Sequence, residues 1–224
     1  MQSPADTTLR DGIWEQRKGY QKSLGESSSV LTPLVLGLHM RFKNIFVLSP
    51  GRSGSKTFIE ASSHLTNYSA AHESLSAHLG DKRFDYPAHH IEADNRLIWF
   101  TGELAKRFPD DVLYVNLIRD FDATVDSFHH RLQNSSYRAS IMNAFAHGIL
   151  MKPGDWRADQ ERDLAAFYVE TVQSNIEFFL KDRTHLTVHL EDGGESFNEF
   201  LQLIKGEGDM GKVRSTWLEV HNAR

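Results

Sequence analysis

Cysteine is absent from this chain of 224 residues. Its absence excludes disulfide cross-links and thiolate nucleophiles, and it suits a reducing compartment. An excess of basic charge is also missing, since 25 Lys and Arg stand against 30 Asp and Glu and give a formal net charge of −5. That balance disfavours a protein that binds nucleic acid through its overall charge, although it leaves room for a local basic pocket.

No stretch of the sequence reaches the roughly 18 consecutive apolar residues of a membrane-spanning helix. The longest apolar stretch, Val30–Met40, is interrupted by a proline, a glycine and two polar residues. The preceding Met1–Ser29 is too polar to contain the hydrophobic part of a secretory signal. We therefore predict a protein without a membrane span and expect it in the cytoplasm.

Hydrophobic residues make up 40% of the chain, which is enough for the core of one sizeable domain. Residues 1–41 are predicted to form an N-terminal arm and lead-in, with Gly25–Ser29 as a natural linker. Residues 42–224 are predicted to form a single α/β domain. Neither region contains a convincing internal repeat.

Strand and helix patterns alternate along the predicted domain. Short apolar runs predict strands at Ile45–Leu48, Tyr68–Glu73, His89–Ala93, Val112–Ile118 and His185–Leu190. Apolar residues at helical spacing predict helices from about Ser55, over Leu97–Phe108, over Asp122–Leu132, over 160–181 and over Phe197–Ile204. This alternation predicts a three-layer α/β sandwich with a mainly parallel central sheet.

The segment Ser49–Thr57 joins the first strand to the first helix and is rich in glycine, hydroxyl and basic residues. Such a junction directs backbone N–H groups and the positive end of a helix dipole at one point, where an anion can bind. An ordinary turn with surface charges is the alternative. A nucleoside-triphosphate loop is disfavoured, because Ser55 rather than glycine precedes Lys56 and Thr57. The candidate anion ligands are Gly51, Arg52, Ser53, Gly54, Ser55, Lys56 and Thr57.

A second candidate anion site follows the strand Val112–Ile118. Arg119 ends that strand, and Ser127 lies eight residues later, about two helical turns on. Because ligands of α/β sheets bind beyond the carboxyl ends of strands, Arg119 stands at a binding position. A salt bridge within the protein is the alternative role for Arg119.

The two segments together resemble the sulfotransferase family. Arg52–Ser55 resembles the family's 5′-phosphosulfate loop, and Arg119 with Ser127 resembles its 3′-phosphate motif. The end of the last strand, Val188–Asp192, is also similar to the family pattern. The family's glycine-rich basic segment near the C-terminus has only a loose, acidic counterpart at Gly206–Lys212.

This resemblance implies a P-loop NTPase-like fold and 3′-phosphoadenosine 5′-phosphosulfate (PAPS) as cofactor, with no metal required. It implies transfer of a sulfuryl group to a hydroxyl or amine of a small-molecule or carbohydrate acceptor, and it implies no nucleic-acid partner. Arg52 and Lys56 are the candidates to stabilise the charge that develops on the departing nucleotide. Glu73 is the first candidate for the general base and His72 the second, although an exposed polar pair is the alternative.

The sequence offers three other interpretations. The pairs His89-His90 and His129-His130 suggest a metal site, but adjacent histidines point in different directions and no standard zinc spacing is present. A P-loop nucleotide kinase or NTPase requires a triphosphate loop and a magnesium-binding carboxylate. A catalytically silent nucleotide-binding protein of the same fold is the remaining alternative.

Overall fold

The computed structural model describes residues 42–134, 141–151 and 158–219. The predicted N-terminal arm at 1–41 lies outside these ranges. Within them, no helix combines the length and the apolar character needed to cross a membrane.

A five-stranded sheet forms the centre of the domain. Its strands are β1 (Asn44–Leu48), β2 (Ser69–His72), β3 (His90–Ala93), β4 (Val112–Ile118) and β5 (His185–His189). They lie in the order β2-β3-β1-β4-β5, and all four pairings are parallel. Strands β1 and β3 are buried along their whole length, as expected of strands that are covered on both faces.

The connections between strands are largely helical. The α-helices are α1 (Ser55–Ser62), α2 (Thr101–Arg107), α3 (Phe121–Asn134), α4 (Ile141–Asn143), α5 (Ala158–Leu180), α6 (Glu195–Leu203) and α7 (Met210–Leu218). Two 3₁₀ segments, Gly80–Phe84 and Asn95–Phe100, lie before α2, and a π-helical turn, Ala144–Ile149, follows α4.

Helices cover both faces of the sheet. Since successive side chains of each strand point to opposite faces, each strand contributes to two cores. From β1, Ile45 and Val47 enter a core shared with α1, α6 and α7, whereas Phe46 and Leu48 enter a core shared with α2, α3 and α5. The predicted three-layer α/β sandwich with a parallel sheet is confirmed.

Two local predictions needed correction. The predicted helix over Leu97–Phe108 is a 3₁₀ segment followed by α2, and the Asp94 side chain caps the 3₁₀ segment by accepting a 2.8 Å hydrogen bond from the Arg96 N–H. Helix α7 was not predicted at all. Its core contribution is small, with Val213 and Trp217 as its buried residues, so its apolar pattern is weak. Trp217 is nevertheless stacked on Phe197 of α6 at a centroid distance of 4.1 Å.

The strand order determines where a ligand can bind. Strand β1 is central, with β3 on one side and β4 on the other. From β1 the chain passes first to β2 and β3 on one side of the sheet and only later to β4 on the other side. At such a reversal of strand order, a crevice lies beyond the carboxyl ends of the strands. The loop after β1 and Arg119 after β4 therefore lie at the same edge of the sheet.

Candidate functional site

The loop Ser49–Gly54 adopts a conformation that depends on glycine. Gly51 and Gly54 have φ angles of 91° and 87°, and Arg52 between them has a φ of 61°. A Cβ atom on Gly54 would lie 2.5 Å from Cδ1 of Leu190, and one on Gly51 would lie 2.8 Å from Nδ2 of Asn95. The backbone angle therefore favours glycine at both positions, and a Cβ atom would displace the ends of the Leu190 and Asn95 side chains. Arg52 carries backbone strain, a feature that is common at functional sites.

Hydrogen bonds inside the loop hold this conformation. The Gly51 N–H donates to Oγ of Ser49, and Oγ of Ser53 donates to the Gly51 carbonyl, both at 3.2 Å. Ser53 is buried, so its hydroxyl stabilises the loop rather than facing solvent. Helix α1 begins directly after the loop, where the Phe58 N–H donates to the Gly54 carbonyl at 2.9 Å. The N-terminus of α1 thus opens at the loop.

Two side chains from outside the loop fix the Pro50 carbonyl. The Tyr168 hydroxyl of α5 donates to it at 2.9 Å, and Nδ2 of Asn95 donates to it at 3.4 Å. Burial raises the pKa of Tyr168, so its hydroxyl stays protonated and remains a donor. Tyr168 lies in the predicted helix over 160–181, whose apolar face gives no sign of this hydrogen bond.

The structure brings the two predicted anion sites into direct contact. Nε of Arg52 donates to Oγ of Ser127 at 2.8 Å, and Nη1 of Arg119 donates to the Arg52 carbonyl at 3.0 Å. Ser127 lies on α3, which passes close enough to the loop for this hydrogen bond. Arg52, Arg119 and Ser127 therefore form one site at the edge of the sheet.

Arg119 is also held by Glu191, a residue whose role the sequence did not reveal. Nε of Arg119 lies 3.5 Å from Oε1 of Glu191, and the Asp120 N–H donates to Oε2 of Glu191 at 3.2 Å. The salt-bridge role considered for Arg119 is therefore real. It coexists with a place in the site, because Nη1 of the same guanidinium donates to the Arg52 carbonyl of the loop.

Positive charge is concentrated at the loop. Burial lowers the pKa of the half-buried Arg52 guanidinium, and the nearby positive charges of Arg131 and Arg119 lower it further. Three guanidinium groups thus repel one another across one small region. Such an arrangement is stabilised by a bound anion with more than one negative charge. Sequence reasoning did not identify Arg131, although its place one turn after Ser127 was a usable signal.

The two candidate bases have different surroundings. Nε2 of His72, at the end of β2, lies 3.0 Å from Oγ of Ser55, the first residue of α1. Glu73 forms an ion pair with Arg96, with a distance of 2.9 Å between Oε1 and Nη1. His72 therefore contacts the first residue of α1, directly after the loop, whereas the Glu73 carboxylate is bound to a guanidinium. This geometry favours His72 over Glu73 as the base.

The remaining predicted loop ligands differ in exposure. Lys56 is exposed on the first turn of α1, whereas Thr57 is buried. Lys56 can therefore move toward a bound anion, and Thr57 faces the interior.

The segment Gly206–Lys212 lies away from the loop. Gly208 pairs with Leu65, which follows the C-terminal end of α1. The loop adjoins the other end of that helix, and eight helical residues span about 12 Å. The loose counterpart of the family's C-terminal basic segment is thus at the wrong end of α1 to cover an anion held by the loop.

No protein-family model and no curated protein sequence matches the chain. Among solved structures, the chain is similar to the mouse sulfotransferase SULT7A1 complexed with PAP, with a TM-score of 0.53 at 13% identity over 82% of this chain and 70% of that one. A sulfotransferase from Alicyclobacillus acidocaldarius matches with a TM-score of 0.46 at 10% identity, over 80% of this chain and 87% of that one. The chain has the fold of the sulfotransferase family.

Proposed function

We propose that this protein is a sulfotransferase that moves a sulfuryl group from PAPS to a hydroxyl or amine of a small-molecule or carbohydrate acceptor. The observation that carries the proposal is the contact between the two anion sites. Arg52 of the loop donates to Ser127, and Arg119 donates to the loop carbonyl of Arg52. A nucleotide with phosphates at both its 5′ and 3′ ends needs two such sites next to each other.

The residues present fit this cofactor. The glycine-dependent loop and the start of α1 would hold its 5′ end, and Arg119 with Ser127 would hold its 3′-phosphate. The repulsion among the clustered arginines decreases when an anion is bound between them.

Three side chains divide the chemistry of transfer. When bound, PAPS would supply the sulfuryl group for transfer to the acceptor oxygen or nitrogen, with PAP as the leaving group. Arg52 stabilises the negative charge that grows on the departing nucleotide, with Lys56 assisting from the first turn of α1. His72 accepts the proton of the acceptor group from its position beside Ser55.

A P-loop kinase or NTPase fits the site less well. Such enzymes need a carboxylate at a strand end to help hold magnesium. Asp94 follows β3, the neighbour of β1, and is the residue in the position for that role. Its carboxylate is buried, forms an ion pair with Arg83 and accepts a hydrogen bond from the Arg96 N–H. It is therefore already used in holding the surrounding chain.

Calorimetric titration of the full chain tests the proposed function. We expect 3′-phosphoadenosine 5′-phosphate (PAP) to bind at least about tenfold more tightly than ATP with magnesium, because only PAP presents a phosphate to Arg119 and Ser127. Addition of a chelator should leave the affinity for PAP unchanged. Tighter binding of ATP with magnesium, or its hydrolysis, would favour the NTPase alternative.

Turnover separates an enzyme from a silent binding protein. The chain is incubated with PAPS and a panel of carbohydrate, lipid and small-molecule alcohols and amines, and PAP release is measured. Release that depends on an acceptor supports sulfuryl transfer. Binding of PAP without transfer to any acceptor would support the silent alternative.

A further inference from the structure

Helix α3 presents one face to the anion loop. Ser127 accepts the hydrogen bond from Nε of Arg52, and Phe128 lies so close that a Cβ atom on Gly51 would be 3.5 Å from its Cζ. Residues three and four positions apart share a face of a helix. Arg131 lies four residues after Ser127 and three after Phe128, so its side chain starts from the face that meets the loop.

The charge distribution agrees with this placement. Arg131 lowers the pKa of Arg52 more strongly than Arg119 does, which indicates that its guanidinium is the stronger source of positive potential at Arg52. Arg131 is also exposed, so a ligand can reach it.

The acidic residues of α3 lie on a different flank. Asp122 and Asp126 are paired with Arg162 of α5, at 2.9 Å and 3.0 Å. Their charges are thus engaged by a neighbouring helix. The basic residue of the last turn, Arg131, shares instead the face of Ser127.

We infer that Arg131 is a third ligand of the nucleotide 3′-phosphate, beside Arg119 and Ser127. This inference rests on the proposed function, because it names a residue of the same cofactor site. Helix α3 would then supply positive charge next to the 3′-phosphate. The C-terminal segment Gly206–Lys212 cannot supply it from the far end of α1.

Calorimetric titrations with PAP and with adenosine 5′-phosphate, which lacks the 3′-phosphate, test the inference. For Arg131→Ala we expect about tenfold weaker binding of PAP and a change within about twofold for adenosine 5′-phosphate, as for loss of one charge-assisted hydrogen bond. Arg131→Lys keeps the charge and should recover part of the loss. Arg214→Ala is the matched control, because Arg214 lies on α7 and donates to Asn198.

The outcomes separate this inference from the proposed function. If wild type prefers PAP but Arg131→Ala weakens both nucleotides equally, or neither, then Arg131 is not a 3′-phosphate ligand and the proposed function stands. If wild type binds the two nucleotides equally, the proposed function itself fails, and the inference fails with it. Thermal unfolding of each variant shows whether a lost affinity comes from a lost fold.

Discussion

Replacement of Arg52 by alanine is expected to lower sulfuryl transfer by about 10²–10³-fold, the usual cost of removing one donor that stabilises charge in a transition state. The same variant should bind PAP more weakly by about tenfold or more. The measurement is the rate of PAP release from PAPS in the presence of an active acceptor, together with calorimetry. Arg52 joins the loop to the second anion site, because its side chain donates to Ser127 and its carbonyl accepts from Arg119.

Two companion variants make the Arg52 result specific. Arg52→Lys keeps the charge but loses the planar group that donates to Ser127, so it should fall between wild type and alanine. Arg214→Ala removes an arginine of α7 and should leave both rate and affinity within about twofold. Turnover of Arg52→Ala at the wild-type rate would contradict the role of Arg52 in transfer.

Replacement of His72 by alanine is expected to lower turnover by about 10²–10⁴-fold, as for loss of a general base. PAP affinity should change by less than about threefold, because a base acts on the acceptor and not on the nucleotide. Measuring the rate constant kcat and the dissociation constant of PAP for the same variant separates the effect on turnover from the effect on nucleotide binding. His64→Ala is the matched control, since His64 follows the C-terminal end of α1, where its Nε2 lies 3.2 Å from Oγ1 of Thr216.

The competing base candidate provides a direct comparison. Glu73→Gln retains a polar side chain that cannot act as a base. In the wild-type structure, the Glu73 carboxylate is bound to Arg96. We expect a smaller loss of turnover for Glu73→Gln than for His72→Ala. The opposite order would restore Glu73 as the base and would leave His72 as a neighbour of the loop.

The sequence predicted those parts of the fold and site that depend on local pattern. Buried strands such as Val112–Ile118 are nearly uninterrupted apolar runs, and the strand, loop and helix of the anion site are adjacent in the chain. The pairing of Arg119 with Ser127 was implied by the resemblance to the family's 3′-phosphate motif, whose spacing this sequence matches. In each case the information lies within about ten residues, which is the range over which periodicity and turn chemistry act.

The parts that could not be predicted depend on packing between distant segments. Tyr168 reaches the Pro50 carbonyl across 118 positions of the chain, and Glu191 reaches Asp120 across 71. Nothing near either residue in sequence indicates these partners. The order of the two base candidates has the same origin, because the Arg96 that binds Glu73 lies in a different segment.

A titration of wild type and Arg119→Ala with PAP and adenosine 5′-phosphate tests most directly whether one nucleotide bridges both strand ends. We expect Arg119→Ala to bind PAP about tenfold more weakly and adenosine 5′-phosphate with unchanged affinity. Equal effects on the two ligands, or no effect on PAP, would mean that Arg119 and the loop after β1 do not share a bisphosphorylated nucleotide.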